Sequence, residues 1–143
     1  MGRDKKVRLR DNQPRERSVR RAEADYSSLP VCWQFSLMDM SGSFSCADIS
    51  PEEWQLILEK MRLWEKMTWH EIAGRRDHVI DVNSLSPEAK KRLIELEFDD
   101  IDEVFSLHID GVKRLFGIRD RHIFRVLWWD REHKVCPSHL KHT

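Results

Sequence analysis

The apolar residues of this chain change their spacing along its length, and each spacing announces a different element. Trp33, Phe35 and Leu37 alternate with Gln34, Ser36 and Met38, the period of two that lays one face of a strand on a core. A strand is therefore expected over residues 31–40, closed by the Ser41-Gly42-Ser43 turn. From Trp54 the period becomes helical: Trp54, Ile57, Leu58, Met61 and Trp64 share one face, with charged residues opposite. Ser50-Pro51-Glu52-Glu53 supplies the start of that helix, with Ser50 as cap, Pro51 in the first position and Glu53 placed for a capping box. Thr68-Trp69-His70-Glu71 repeats the capping pattern and predicts a short second helix ending at Gly74. Ser86-Pro87 opens a third helix running to about Glu97, with Ala89, Leu93 and Leu96 inward and Lys90, Lys91 and Arg92 outward.

Past the acidic run Asp99, Asp100, Asp102 and Glu103 the branched and aromatic residues of strands take over. A strand is expected over 104–109, and Asp110-Gly111 signals a hairpin. Residues 112–130 then read as two arms around a polar turn. Leu115, Phe116 and Ile118 lie in the first arm, and Ile123, Phe124, Val126, Leu127, Trp128 and Trp129 in the second. A last short strand is expected near Val135. The order β-α-α-β-β-β gives an α+β domain: an antiparallel sheet of four to five strands, with two or three helices packed on one face. The other face would stay partly open. Residues 1–30 form a separate expectation, a basic and disordered arm, because they carry almost no apolar side chains beyond Val7, Leu9, Val19 and Leu29. Residues 31–143 make a single domain.

Charge adds something that the net value hides. The formal net charge is zero. Residues 1–30 hold nine Lys/Arg against five Asp/Glu, a balance of +4. Residues 31–110 hold eight against seventeen, or −9, and residues 111–143 hold eight against three, or +5. An acidic middle between two basic ends points to localised anion binding. Cys32, Cys46 and Cys136 are an odd number without short-range pairing, and no stretch reads as a signal peptide or membrane span. A reduced, cytoplasmic protein is the simplest reading.

Chemistry narrows to the last third. Arg114, Arg119 and Arg125 interrupt an apolar run, and guanidinium groups this close to a sheet need either carboxylate partners or an anionic ligand. No cofactor is expected, since no Gly-rich phosphate loop or nucleophile elbow is present. His133, Cys136, His139 and His142 recur every third residue, but this is not a familiar zinc spacing. His70-Glu71 with His78 does not make the helical HExxH arrangement, and His70 reads as a surface residue at a helix start. Of the Trp128-Trp129 pair, which could stack bases, Trp128 is assigned to the core.

The element order, with Leu115-Phe116-Gly117-Ile118-Arg119, the turn Asp120 to His122, and Ile123-Phe124-Arg125-Val126-Leu127, resembles the RelE/HigB-like toxins of toxin–antitoxin pairs. The closing Leu140-Lys141-His142-Thr143 looks like the basic tail that often follows the last strand there. The resemblance covers roughly residues 86–143. It implies metal-independent cleavage of mRNA, possibly on the ribosome, by attack of a ribose 2′-hydroxyl on the adjacent phosphate, with neutralisation by a cognate antitoxin. Such a reaction needs a base, a cation for the phosphorane and an acid for the leaving oxygen. Arg119, Arg125, His122 and His142 are the implied catalytic group, and Arg114, Arg121, Lys134, His139 and Lys141 the RNA-binding one. The competing reading is a non-catalytic interaction module of similar fold that docks a partner protein on its open face. The plain structural alternative for Arg119 and Arg121 is that they pair with Asp120 and the acidic 99–103 run.

Overall fold

Each helix starts where a hydroxyl side chain can accept a hydrogen bond from the first turn. The computed structural model describes residues 26–74 and 76–137. In chain order it has β1 (Cys32–Gln34), α1 (Pro51–Trp64), α2 (Trp69–Ile72), β2 (His78–Asp81), a 3-10 turn at Val82–Ser84, α3 (Pro87–Glu95), β3 (Glu103–Asp110), β4 (Lys113–Asp120) and β5 (Ile123–Asp130). The Glu53 and Glu71 amides donate to Ser50 Oγ and Thr68 Oγ1, and the two glutamate side chains accept in return from the cap amides. Both capping boxes are thus complete. Ser86 caps α3 by accepting from the Ala89 amide at 3.2 Å.

The strands form one sheet in the order β1-β5-β4-β3-β2. Pairing is antiparallel except at the edge, where β1 runs parallel to β5. The chain belongs to the α+β class, as the element pattern leads one to expect. Three particulars differ. The strand expected over 31–40 contracts to three residues, because a turn closed by the Met38 amide on the Phe35 carbonyl breaks it before the Asp39 amide returns to the Leu127 carbonyl of β5. His78–Asp81 adds a fifth strand that only four residues of sequence announce. No strand forms near Val135, whose amide instead donates to the Asp130 carboxylate at 2.9 Å.

Both faces of the sheet are covered, which corrects the expectation of helices on one side only. Ile57, Met61 and Trp64 of α1 and Trp69 and Ile72 of α2 pack on Phe105, Leu107, Leu115, Phe124, Val126 and Trp129. Ala89 and Leu93 of α3, with Phe44 and Val135, pack on Val104, Phe116, Leu127 and Trp128 across the other face. Alternation along strands explains the split. A register shift between Phe116 and Gly117 leaves Leu127 as an extra residue in β5, so that Leu127 and Trp128 both face the α3 side. Alternation resumes after it, and Trp128 and Trp129 are both buried, one in each core layer. A β-carbon at Gly117 would overlap the Phe124 ring and the Arg125 carbonyl, so the close approach at this bulge requires glycine.

A buried ion pair closes the α3 side. The Asp39 side chain is 1% exposed and accepts from Arg92 at 2.7 and 2.8 Å and from the Trp128 indole at 3.0 Å. Burial alone would raise the Asp39 carboxyl, but the Arg92 guanidinium, the Ser41 amide and the Trp128 indole outweigh it and hold it below its ordinary value. Among the described residues no helix is long and apolar enough to cross a membrane. Cys46 and Cys136 are buried, their thiols donating to the Leu127 and Ser84 carbonyls, whereas Cys32 is exposed.

Candidate functional site

A two-residue turn, Arg121-His122, joins β4 to β5, and the chain around it builds a cleft. Arg121 holds a φ of 62°, in the left-handed region where glycine, asparagine or aspartate is the usual choice. An arginine there costs roughly 1 kcal/mol relative to an unstrained residue. The turn is nevertheless anchored firmly. The His122 carbonyl accepts from the Cys32 amide at 2.9 Å and from the Trp69 indole at 3.0 Å, tying β1 and α2 to the same atom. The His122 ring stacks on Tyr26 at 5.2 Å between centroids. Tyr26 and Ser27 therefore belong to the folded body, although the arm expectation extended to residue 30; residues 1–25 lie outside the described ones.

The cleft, of about 550 Å³, is lined by Val79, Glu103, Val104, Phe105, Arg119, Asp120 and Arg121. It lies where β2, β3 and β4 extend beyond α2, on the face that carries α1 and α2. Alternation delivers Val79, Glu103, Phe105 and Arg119 to that face together. The Arg119 guanidinium carbon sits 4.3 Å from the Trp69 ring centroid. Its Nε donates to the Arg121 carbonyl at 2.7 Å and one Nη to Ser27 Oγ at 3.1 Å. Among the described residues no carboxylate forms an ion pair with it. Burial pulls its pKa down, the Glu103 carboxylate partly offsets this, and the group stays a cation at any physiological pH. Arg121 is more exposed, 3.6 Å from an Asp120 oxygen and 5.9 Å from the Tyr26 centroid.

The other expected residues are dispersed. Arg125 pairs across β4 with Ile118 and points to the α3 face, opposite Arg119, where it donates to Asp120 at 3.2 Å. Arg114 stands five residues from Arg119 along the strand, roughly 17 Å at about 3.4 Å per residue. There it donates to the Gly111 and Lys113 carbonyls. Lys134 is in the loop after β5, paired with Glu132 at 3.1 Å. His139, Lys141 and His142 lie outside the described residues. A single open surface shared by Arg114, Arg119 and Arg125 does not form, because strand parity separates the last two and strand length removes the first. The structure brings together Arg119 and Arg121, with His122 turned away beneath Tyr26.

Glu103, Val79 and Trp69 are the site residues that sequence reasoning passed over. Glu103 was read as part of an acidic lead-in, and Val79 sits in an edge strand too short for a clear period. Trp69 was legible as a helix-start aromatic, but its pairing with Arg119 needs tertiary contact. Among the described residues no group of three or more His, Cys, Asp or Glu is arranged to hold a metal. The fold and site define an α+β protein with a mixed five-stranded sheet and an arginine-lined cleft at one end. No protein-family model, curated protein or solved structure matches this chain.

Proposed function

We propose that this chain is a cytoplasmic RelE/HigB-like toxin that engages the backbone of mRNA at the cleft beside the β4–β5 turn. The observation that carries the reading is Arg119, a guanidinium held in place by Trp69, Ser27 and the Arg121 carbonyl without a carboxylate ion pair. Arg92 and Arg131, which tie segments of the fold together, are held by carboxylates; Arg119 leaves its charge for a ligand. Arg121 adds a second cation at the rim, in a backbone conformation that costs stability, and strain of that kind collects at functional positions. Of the two carboxylates lining the cleft, Asp120 is paired with Arg121 and Arg125, which leaves Glu103 to accept the proton of a 2′-hydroxyl. A cognate antitoxin would then cover the same end of the sheet.

A specific observation favours the second reading, an interaction module without catalysis. The imidazole of His122 is stacked on Tyr26, its Nδ1 is buried without a partner, and it does not line the cleft. In that reading the cleft takes an acidic segment of a partner protein. Expression of the chain in bacteria separates the two. The toxin reading expects growth arrest with cleaved transcripts, relieved by Arg119→Ala or Glu103→Gln. Growth at the wild-type rate with intact RNA would sink it and leave the interaction reading. A neighbouring reading frame for a small DNA-binding protein would support the toxin reading.

A further inference from the structure

We infer that Arg119 serves as a stacking platform for one unpaired base, with Arg121 holding the adjoining phosphate, so that the cleft takes single-stranded rather than duplex RNA. This rests on the RNA reading above and names the part of RNA that the cleft accepts. Arginine usually grips phosphate through the edge formed by Nε and one Nη. In Arg119 those two nitrogens are already engaged with the Arg121 carbonyl and Ser27 Oγ. What remains for a ligand is the flat side together with the outer Nη1 end, and the flat side is the larger surface. One side of the guanidinium rests on the Trp69 ring and the group also lines the cleft. Its in-plane bonds and Trp69 fix the plane, so a base settling on it meets a surface already oriented.

The rest of the cleft suits a base and its phosphate. Val79 is 46% exposed and gives an apolar wall. The volume of about 550 Å³ falls in the range of small-ligand sites and has room for a nucleotide. Arg121, more than half exposed at its side chain, can swing to the phosphate as a mobile cation. A base paired in an A-form helix keeps its faces against its neighbours, so it cannot lie on the guanidinium unless it is unstacked. Guanidinium planes are among the surfaces on which splayed RNA bases stack.

The test compares charge with planarity in the full chain. A labelled single-stranded RNA heptamer is titrated at low salt and followed by fluorescence anisotropy, with wild type, Arg119→Lys, Arg119→Gln and Arg121→Lys. Stacking of one base predicts that Arg119→Lys weakens binding about tenfold, close to the effect of Arg119→Gln, despite its retained charge. Arg121→Lys should change it less than about threefold, since a point charge suffices at the phosphate. Wild type should also bind a heptamer with a central run of abasic sites about tenfold more weakly, an arm that needs no variant to fold. Arg119→Lys binding like wild type, or wild type binding the abasic heptamer or an RNA duplex as tightly as the intact single strand, overturns the inference while the RNA reading stands. Absence of any binding by wild type overturns both.

Discussion

Two arginines on opposite sides of the sheet show what a guanidinium can be for. Arg92, on the outward side of α3 by sequence, folds over to meet the buried Asp39 and pins the 39–46 segment to Trp128. Arg119, on the other face, meets an indole, a hydroxyl and a carbonyl but no carboxylate. The first is held by a counter-charge and is structural. The second keeps an uncompensated charge at the edge of a cleft. Charge counting along the chain cannot separate them, since both sit among apolar residues and both have acidic residues near in sequence. The difference lies in which partner the fold brings to each.

The largest break in this comparison should come from Asp39→Asn. Removing the carboxylate leaves Arg92 and the Trp128 indole facing a neutral amide, and breaking a buried pair in this way costs about 3–5 kcal/mol. Urea unfolding should read that loss, and RNA binding by the folded fraction should be unchanged. A loss below about 1 kcal/mol would mean that the pair is worth no more than an exposed one.

Gly117→Ala tests the bulge that turns Leu127 and Trp128 to the same face. Its methyl group has to displace the Phe124 ring or the Arg125 carbonyl, a cost of about 1–3 kcal/mol by analogy with overpacked cores. Because Phe124 pairs with Arg119 across the strands, the same variant should loosen the cleft. Thermal unfolding at the wild-type temperature would show that the bulge tolerates a side chain.

A smaller effect, set by pH, is expected at Glu53, which caps α1 and also accepts from Arg131 at 2.6 and 3.0 Å. The Arg131 hydrogen bond is the main cause of its low pKa, and burial, which opposes it, leaves the carboxyl at about 2 against an ordinary 4.5. A depressed folded-state value means that the stabilisation is complete above the ordinary value and is lost as pH falls through the folded one. Stability should therefore decline between about pH 5 and pH 2. Glu53→Gln should cost about 1–2 kcal/mol near neutral pH and almost nothing at pH 2. A constant difference across that range would rule out Glu53 as the source.

The smallest change has the opposite sign. Arg121→Gly relieves the left-handed backbone and should stabilise the hairpin by about 0.5–1 kcal/mol, while weakening RNA binding. A variant that is both more stable and a full-strength binder would show that Arg121 is only a poor turn residue.

Much of this fold was legible before any coordinates. Ser50, Thr68 and Ser86 start helices because capping is local, decided by atoms three residues apart. The β3–β4–β5 meander was legible because aromatic and branched residues fill it and turn residues bound it. What escaped was tertiary. Four residues, His78–Asp81, are too few to show a period, and Val135 looks like a strand until the Asp130 carboxylate takes its amide. The site was half legible: Arg119 and Arg121 were named, but Arg125 shares their stretch and not their face. The cross-strand register, which sets Arg119 opposite Phe124 and Arg125 opposite Ile118, decides that, and no spacing rule reveals it.

The most direct measurement is a two-dimensional amide NMR titration of the full chain with a short single-stranded RNA. The account expects shifts confined to Val79, Glu103, Phe105, Arg119, Arg121 and their neighbours, with the α3 face around Asp39 and Arg92 undisturbed. Shifts centred on the α3 face, or none at RNA concentrations that saturate a basic RNA-binding domain, would contradict it.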